Sequence, residues 1–214
     1  MPDLMFEVDG AAVVPFSETP LIVLRLRVSN PSGESIHSAI MRCQIMIETN
    51  RRRYSEQEQA RLVELFGNAE QWKQGLRGTL WTIVNVLVPP FDGEIVTDVP
   101  LPCTFDFNVA ATKYFAGLSD GEIPVCLLFS GTVFYHTEEF GLQVAQIAWD
   151  KEASYRLPVK LWHDLMDAYY PNAAWLSLRR DVFERLREFK AANAIPTWEQ
   201  AFERLLTAET HSAG

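Results

Sequence analysis

The feature that most constrains the fold of this chain is an apolar residue at every second position through much of its first two thirds. Leu24, Leu26 and Val28 alternate with Arg25 and Arg27, which predicts a half-buried strand. In the stretch from Ile36 to Glu48, the apolar residues again share one side: Ala39, Met41, Cys43, Ile45 and Ile47. Between the two stretches, Asn30-Pro31-Ser32-Gly33 is typical of a turn. An antiparallel hairpin with one face in water is therefore expected.

Two later stretches predict further strands. Thr79–Val88 is apolar on both faces, which predicts a buried strand in the centre of a sheet. Ile123–His136 is the strongest strand pattern, and Gly131 at its middle suggests a bulge. About seven strands separated by turn signals predict an α+β chain built on an antiparallel β-sandwich, immunoglobulin-like or related.

Helical spacing interrupts this pattern once and then replaces it. Ser55 and Glu58 form a predicted capping box, and a helical insertion is expected at about 55–76. Amphipathic helical patterns fill the last third of the chain. The expected organisation is a β-sandwich over residues 1–157 that includes the insertion, followed by a C-terminal helical extension, 158–214, packed on the sandwich.

Composition excludes several classes of partner. The chain has 214 residues, a formal net charge of −9 and a pI of about 5.0, which argues against binding to nucleic acid or to an anionic membrane surface. Three cysteines without paired spacing are typical of a reducing compartment. No secretory signal opens the sequence, and no apolar run approaches the ~20 residues of a membrane span. A cytoplasmic location is expected.

No spacing in the sequence indicates a reaction or a metal. The four histidines and three cysteines lack the intervals of metal ligands. Neither a nucleophile elbow nor a glycine-rich phosphate loop occurs. The sequence therefore predicts no catalytic residues, no metal ligands and no cofactor.

Two segments are candidates for contact with a partner. The first is the basic cluster Arg51, Arg52, Arg53 and Tyr54, which precedes a predicted helix N-terminus and so favours an anion or an acidic partner. A solvated loop that balances an acidic chain is the alternative interpretation.

The second segment, Trp149, Asp150, Lys151 and Glu152, combines an aromatic ring with mixed charges, as partner epitopes do. The alternative is a cluster of ion pairs at the junction of strands and helices, with Trp149 in the core.

Several strings resemble a bacterial family of unknown function along nearly the whole chain. They are RLRV (25–28), RCQI (42–45), RRRYS (51–55), PCTFDF (102–107), KYF (113–115), LFSGTVFY (128–135), WDKEASYRLPV (149–159), YPN (170–172) and PTWE (196–199). The resemblance implies a gene context, because members are often encoded beside actinobacterial-type, high-affinity nickel-iron hydrogenase genes. It implies no catalytic residues.

Together these features predict a non-catalytic accessory protein that binds a protein partner. The resemblance implies a hydrogenase subunit or a maturation factor as that partner, with a role in assembly or stability. A small-molecule or cofactor-binding module, or an enzyme of unrecognised type, is the alternative, and a homo-oligomer is left open.

Overall fold

The computed structural model describes residues 1–68, 72, 78–104, 109–174 and 176–212, and for 209–212 it describes the backbone alone. Eight strands lie in these ranges: β1 (Met5–Val13), β2 (Leu21–Ser29), β3 (Ile36–Ile47), β4 (Thr79–Val88), β5 (Glu94–Pro102), β6 (Glu122–Thr137), β7 (Gly141–Gln146) and β8 (Glu152–Pro158). The helices described are α1 (Glu56–Phe66), α2 (Val109–Gly117), α3 (Val159–Tyr169), α4 (Arg180–Ala192) and α5 (Trp198–Ser212), with a 3₁₀ turn at Thr49–Arg51.

The strands form two antiparallel sheets. One sheet has the order β1-β2-β5, and the other has the order β4-β3-β6-β7, with β8 also paired to β6. The inner faces of the two sheets share one apolar core, and the rings of Phe6 and Phe129 stack across it with centroids 4.1 Å apart. The predicted antiparallel β-sandwich with additional helices is therefore confirmed.

Strand β6 carries two partners in succession along one edge. Its first half, Glu122–Leu128, pairs with β8, and its second half, Thr132–Thr137, pairs with β7. The segment that links β7 to β8 therefore lies beside the middle of β6. The pairing of β6 with β3 keeps its register through Gly131, so the predicted bulge at that glycine is wrong, and the irregularity occurs between Ile36 and Ser38 instead.

Strand β4 corrects a second prediction. It lies at the end of its sheet among the described strands and pairs with β3 alone, so Thr79–Val88 is not a central strand. One of its faces is buried, but Leu87 on the other face is 69% exposed. Apolar residues on both faces indicated burial on both faces, and the layers of the described fold cover only one.

Helix α1 confirms the predicted capping box. The Ser55 hydroxyl accepts the N–H of Glu58, the Glu58 carboxylate accepts the N–H of Ser55, and Gly67 ends the helix. Most of the insertion beyond Asn68, residues 69–71 and 73–77, lies outside the described part. Trp72 is described, and it is buried against Tyr54 and Phe66.

Contacts divide the chain into two compact units, Met1–Ala173 and Ala174–Gly214. The first unit includes α3, where Trp162 packs against Phe115 and the Tyr169 hydroxyl donates to the carbonyl of Ser17 at 2.7 Å. The second unit contains α4 and α5. The packing of these helices on the sandwich stays a prediction. No helix of the described ranges is long and apolar enough to cross a membrane.

Candidate functional site

The outer face of the five-stranded sheet displays an unusual number of apolar side chains. The register pairs Ile40 of β3 with Leu87 of β4, and Gln44 with Ile83, so these residues share the face opposite the core. Seven large apolar residues on this face are exposed: Ile40, Leu80, Ile83, Leu87, Leu128, Leu142 and Val144. We call these seven residues the outer-face patch. Large exposed apolar patches often mark interaction sites, which makes this face a candidate.

A polar row crosses the outer-face patch at its middle. Arg42 of β3 lies between Asn85 of β4 and Ser130 of β6. Its guanidinium makes no ion pair with any described residue. A carboxylate brought to this row from outside the described residues would pair with this charge.

The predicted basic segment is divided between surface and interior. Arg51 is exposed and pairs with Glu48 at 3.1 Å, and Arg53 is exposed as well. Tyr54 is half-buried, and its hydroxyl donates to the carbonyl of Thr49 at 2.7 Å. Arg52 turns inward. The segment therefore does not present four side chains together to a partner.

Arg52 belongs to a buried ion pair with Glu58. The two side chains are 8% and 4% exposed, and Nη2 of Arg52 lies 2.9 Å from the carboxylate. Nε of Arg52 donates to the carbonyl of Glu122 at 3.1 Å, and the N–H of Ser119 donates to Glu58 at 3.0 Å. The pair thus fastens the start of α1 to the segment that enters β6.

The pKa of the Glu58 carboxyl reflects these contacts. Burial raises this pKa. Hydrogen bonds from the Ser119 N–H, from Arg52 and from the Ser55 N–H lower it, as does the charge of Arg52, and these contacts outweigh the effect of burial. The net effect is a pKa below the ordinary value, so Glu58 is a carboxylate at neutral pH. Its role is structural.

The second predicted segment lies beside the outer-face patch. Trp149 is 93% exposed in the link between β7 and β8, so it does not fill the core. The backbone around it is held in place, because the N–H of Ile147 donates to Gly131 at 2.9 Å and the N–H of Phe129 donates to Lys151 at 3.0 Å. An aromatic ring exposed on a fixed loop has the properties of a binding anchor.

The other three residues of this segment differ in their surroundings. Asp150 is exposed. Lys151 pairs with Asp3 at 2.6 Å, which ties the link to the N-terminal segment. Glu152 begins β8 and lies opposite Leu128, on the outer face.

The two predicted segments meet at Cys126, through one residue of each. The Cys126 thiol donates to Glu152 at 3.8 Å, and the thiol also feels the charges of Glu48 and Arg51. Burial, followed by the charges of Glu152 and Glu48, raises the pKa of Cys126 to about 11. The thiol is therefore protonated at neutral pH and is a poor nucleophile. This charged cluster forms one rim of the outer-face patch.

Two clefts lie outside the outer-face patch in the first unit, and one of them, of about 630 Å³, is lined by residues that include Glu34, His136 and Glu138. The other, of about 550 Å³, adjoins this rim and is lined by residues that include Arg51, Glu122, Ser154 and Arg156. Within the described ranges, no three His, Cys, Asp or Glu side chains come close enough to hold a metal ion.

The outer-face patch was not predicted from the sequence. Its one signal was the apolar character of both faces of Thr79–Val88, which indicated a central strand instead.

A sequence comparison assigns the chain to a family. A model described as a family of unknown function, DUF6084, matches residues 1–214, so the chain belongs to that family. No curated protein matches it.

Solved structures show distant likenesses. A CARDB domain from Pyrococcus furiosus, solved with di-metal ions, is 15% identical, with a TM-score of 0.30, over 73% of this chain and 92% of that one. A β-glucosidase from Kluyveromyces marxianus is 12% identical, with a TM-score of 0.29, over 72% of this chain and 15% of that one. These likenesses are too distant to indicate a function.

Proposed function

We propose that this member of the DUF6084 family is a non-catalytic accessory protein that binds a protein partner through the outer-face patch. The exposed apolar face of the five-stranded sheet carries the proposal. Large exposed apolar areas are rare on soluble monomers and often mark interaction sites. The two predicted segments contribute Trp149 at the edge and the cluster of Arg51 and Glu152 at the rim.

The size of the patch sets a range for the affinity. The exposed fractions of its seven side chains equal about three and a half fully exposed aliphatic side chains. Covering them would contribute about 5–10 kcal/mol at ~1.5–3 kcal/mol each. Association costs about 4–15 kcal/mol, so the patch alone supports weak binding. A specific complex would need further anchors, and Trp149 and Arg42 are placed to provide them.

The proposed partner is a subunit or a maturation factor of a nickel-iron hydrogenase. This part of the proposal rests on the family resemblance and its gene context. A cytoplasmic location is proposed with it, since the three cysteines are free thiols, as a reducing compartment would keep them. Binding would assist assembly or stability of the enzyme. A small-molecule module or an enzyme of unrecognised type stays the alternative.

The test is co-purification from the native host with matched variants. Tagged wild-type chain should retain hydrogenase subunits or maturation factors, quantified by mass spectrometry. Leu87 is the most exposed of the seven patch residues, at 69%. Leu87→Glu places a charge there and should reduce the retained amount by roughly 30-fold, the equivalent of about 2 kcal/mol. Val96→Glu is the control, because Val96 is an exposed apolar residue on the other sheet.

Two outcomes would contradict the proposal. Equal retention by the Leu87→Glu and Val96→Glu variants would show that the outer-face patch is not the docking surface. A deletion strain that assembles fully active hydrogenase would refute the proposed role in assembly or stability.

A further inference from the structure

The second compact unit, Ala174–Gly214, is too small to bury its own apolar side chains. It contains roughly 40 residues, near the lower limit for a fold without disulfides, metals or association. Helix α4 has no buried residue at all. Of the unit's described apolar residues, only Ile195 and Ala201 are buried. Its apolar surface therefore has no cover within the unit.

That surface is organised around an open cleft. The cleft has a volume of about 360 Å³ and is lined by Leu176, Leu178, Phe183, Trp198 and Phe202. The ring of Trp198 joins the two helices, because its centroid lies 5.3 Å from that of Phe183. Leu206 continues the apolar edge along α5 and is exposed. Both helices thus present apolar side chains beside the cleft.

The charges beside these apolar edges have opposite signs on the two helices. Arg180 and Arg187 lie three residues before and four residues after Phe183, so they flank it on α4. On α5, Glu203 precedes Leu206 by three residues and Glu199 precedes it by seven. All four charged side chains are exposed. Arg187 also forms an ion pair with Glu184 one turn earlier on α4, and this exposed pair is open to exchange with another carboxylate. Helix α4 therefore has a basic rim (Arg180 and Arg187), and α5 has an acidic rim (Glu199 and Glu203).

From these features we infer that the second unit is a dimerisation module that docks a second copy of itself as a four-helix bundle. A two-fold axis would place α4 of one copy against α5 of the other, so each basic rim meets an acidic rim. The apolar edges and the cleft would be covered in the same step. A partner of a single charge sign would match only one of the two rims.

The distribution of charge over the chain agrees with this arrangement. The second unit contains six basic and six acidic residues, so the net charge of −9 belongs to the rest of the chain. Two sandwiches repel each other, whereas two neutral helical units do not. Self-association is therefore favoured at this unit over the remainder of the surface. The inference does not depend on the proposed function.

Reversal of each rim tests the inference in the full chain. Sedimentation velocity and light scattering should show a dimer for the wild type. The variant with Arg180→Glu and Arg187→Glu makes every rim acidic, and the variant with Glu199→Arg and Glu203→Arg makes every rim basic. Each should dissociate at least tenfold more readily than the wild type. A mixture of the two should form a heterodimer, because opposite rims then face each other in both contacts.

Controls separate this result from general damage to the fold. Arg204 lies two residues before Leu206 and therefore on another side of α5, so Arg204→Glu should leave the dimer intact. Far-UV circular dichroism should show unchanged helix content in all variants. A monomeric wild type, dimers that persist after either reversal, or a mixture without heterodimer would each overturn the inference.

Discussion

Replacement of Glu58 by glutamine removes the charge that Arg52 contacts inside the first unit. The carboxylate accepts hydrogen bonds from Arg52 at 2.9 Å, from the Ser119 N–H at 3.0 Å and from the Ser55 N–H at 2.9 Å. Removal of one partner of a buried ion pair costs about 3–5 kcal/mol, because the remaining charge stays buried without compensation. Net stabilities of 5–15 kcal/mol are usual, so this is a large fraction of the whole.

Urea unfolding followed by far-UV circular dichroism measures the effect. We expect the free energy of unfolding to fall by about 3–5 kcal/mol in Glu58→Gln. Asp164→Asn is the matched control, because Asp164 pairs with Lys160 on the surface of α3, with side chains 53% and 80% exposed. That change should cost at most about 0.5 kcal/mol. Equal losses in the two variants would refute the assignment of the Arg52–Glu58 pair as the contact that fastens α1.

The same pair predicts a dependence on pH. Because the pKa of folded Glu58 lies below its ordinary value of 4.5, the pair stabilises the fold fully above that value. The contribution is lost as the pH falls through the folded pKa. The difference in stability between wild type and Glu58→Gln should therefore be constant near neutrality and shrink in acid. A difference that grew below pH 4.5 would contradict the direction of the shift.

Two further predictions concern single residues of β6. A Cβ added at Gly131 would lie 2.1 Å from the carbonyl oxygen of Ile40, and the φ of Gly131 is +139°. Gly131→Ala should therefore lower the free energy of unfolding in urea by at least about 3 kcal/mol. Gly10→Ala is the control and should cost far less, because the space around Gly10 is open. Alkylation of Cys126 by iodoacetamide should be slow at pH 8 and rise towards pH 11, and Glu152→Gln should accelerate it by lowering the pKa of the thiol. A Gly131→Ala variant as stable as the wild type would contradict the close approach of Gly131 to Ile40. A Cys126 that reacts at pH 8 as fast as a free thiol would contradict the raised pKa of its thiol.

Local features were predictable from the sequence, and features that depend on distant residues were not. The Ser55 and Glu58 capping box needs only residues three positions apart, and it forms as expected. The inward position of Arg52 depends on carbonyls at Asp120 and Glu122, which are 68 and 70 residues further along the chain. No local pattern distinguishes such an arginine from its exposed neighbours. The basic segment could therefore be found in the sequence, but its division could not.

The placement of β4 shows the same limit at the level of the sheet. Alternation fixes which side chains of Thr79–Val88 share a face, but it does not give the number of layers that cover them. The described fold covers one face with the second sheet and leaves Leu80, Ile83 and Leu87 in water. An apolar strand thus predicts burial correctly only when the chain itself supplies both layers.

An exposed apolar face of this kind stays free in solution only if electrostatic or polar interactions prevent non-specific association. The net charge of −9 makes copies of the chain repel one another in general, which opposes random contact between outer faces. The polar row of Asn85, Arg42 and Ser130 opposes a purely apolar cover, since a partner without a carboxylate would bury the Arg42 charge unpaired. In the proposed complex, the apolar area and the Arg42 charge would together favour a partner that carries a carboxylate. Arg42 is exposed on this face, whereas the side chain of the predicted Arg52 is buried.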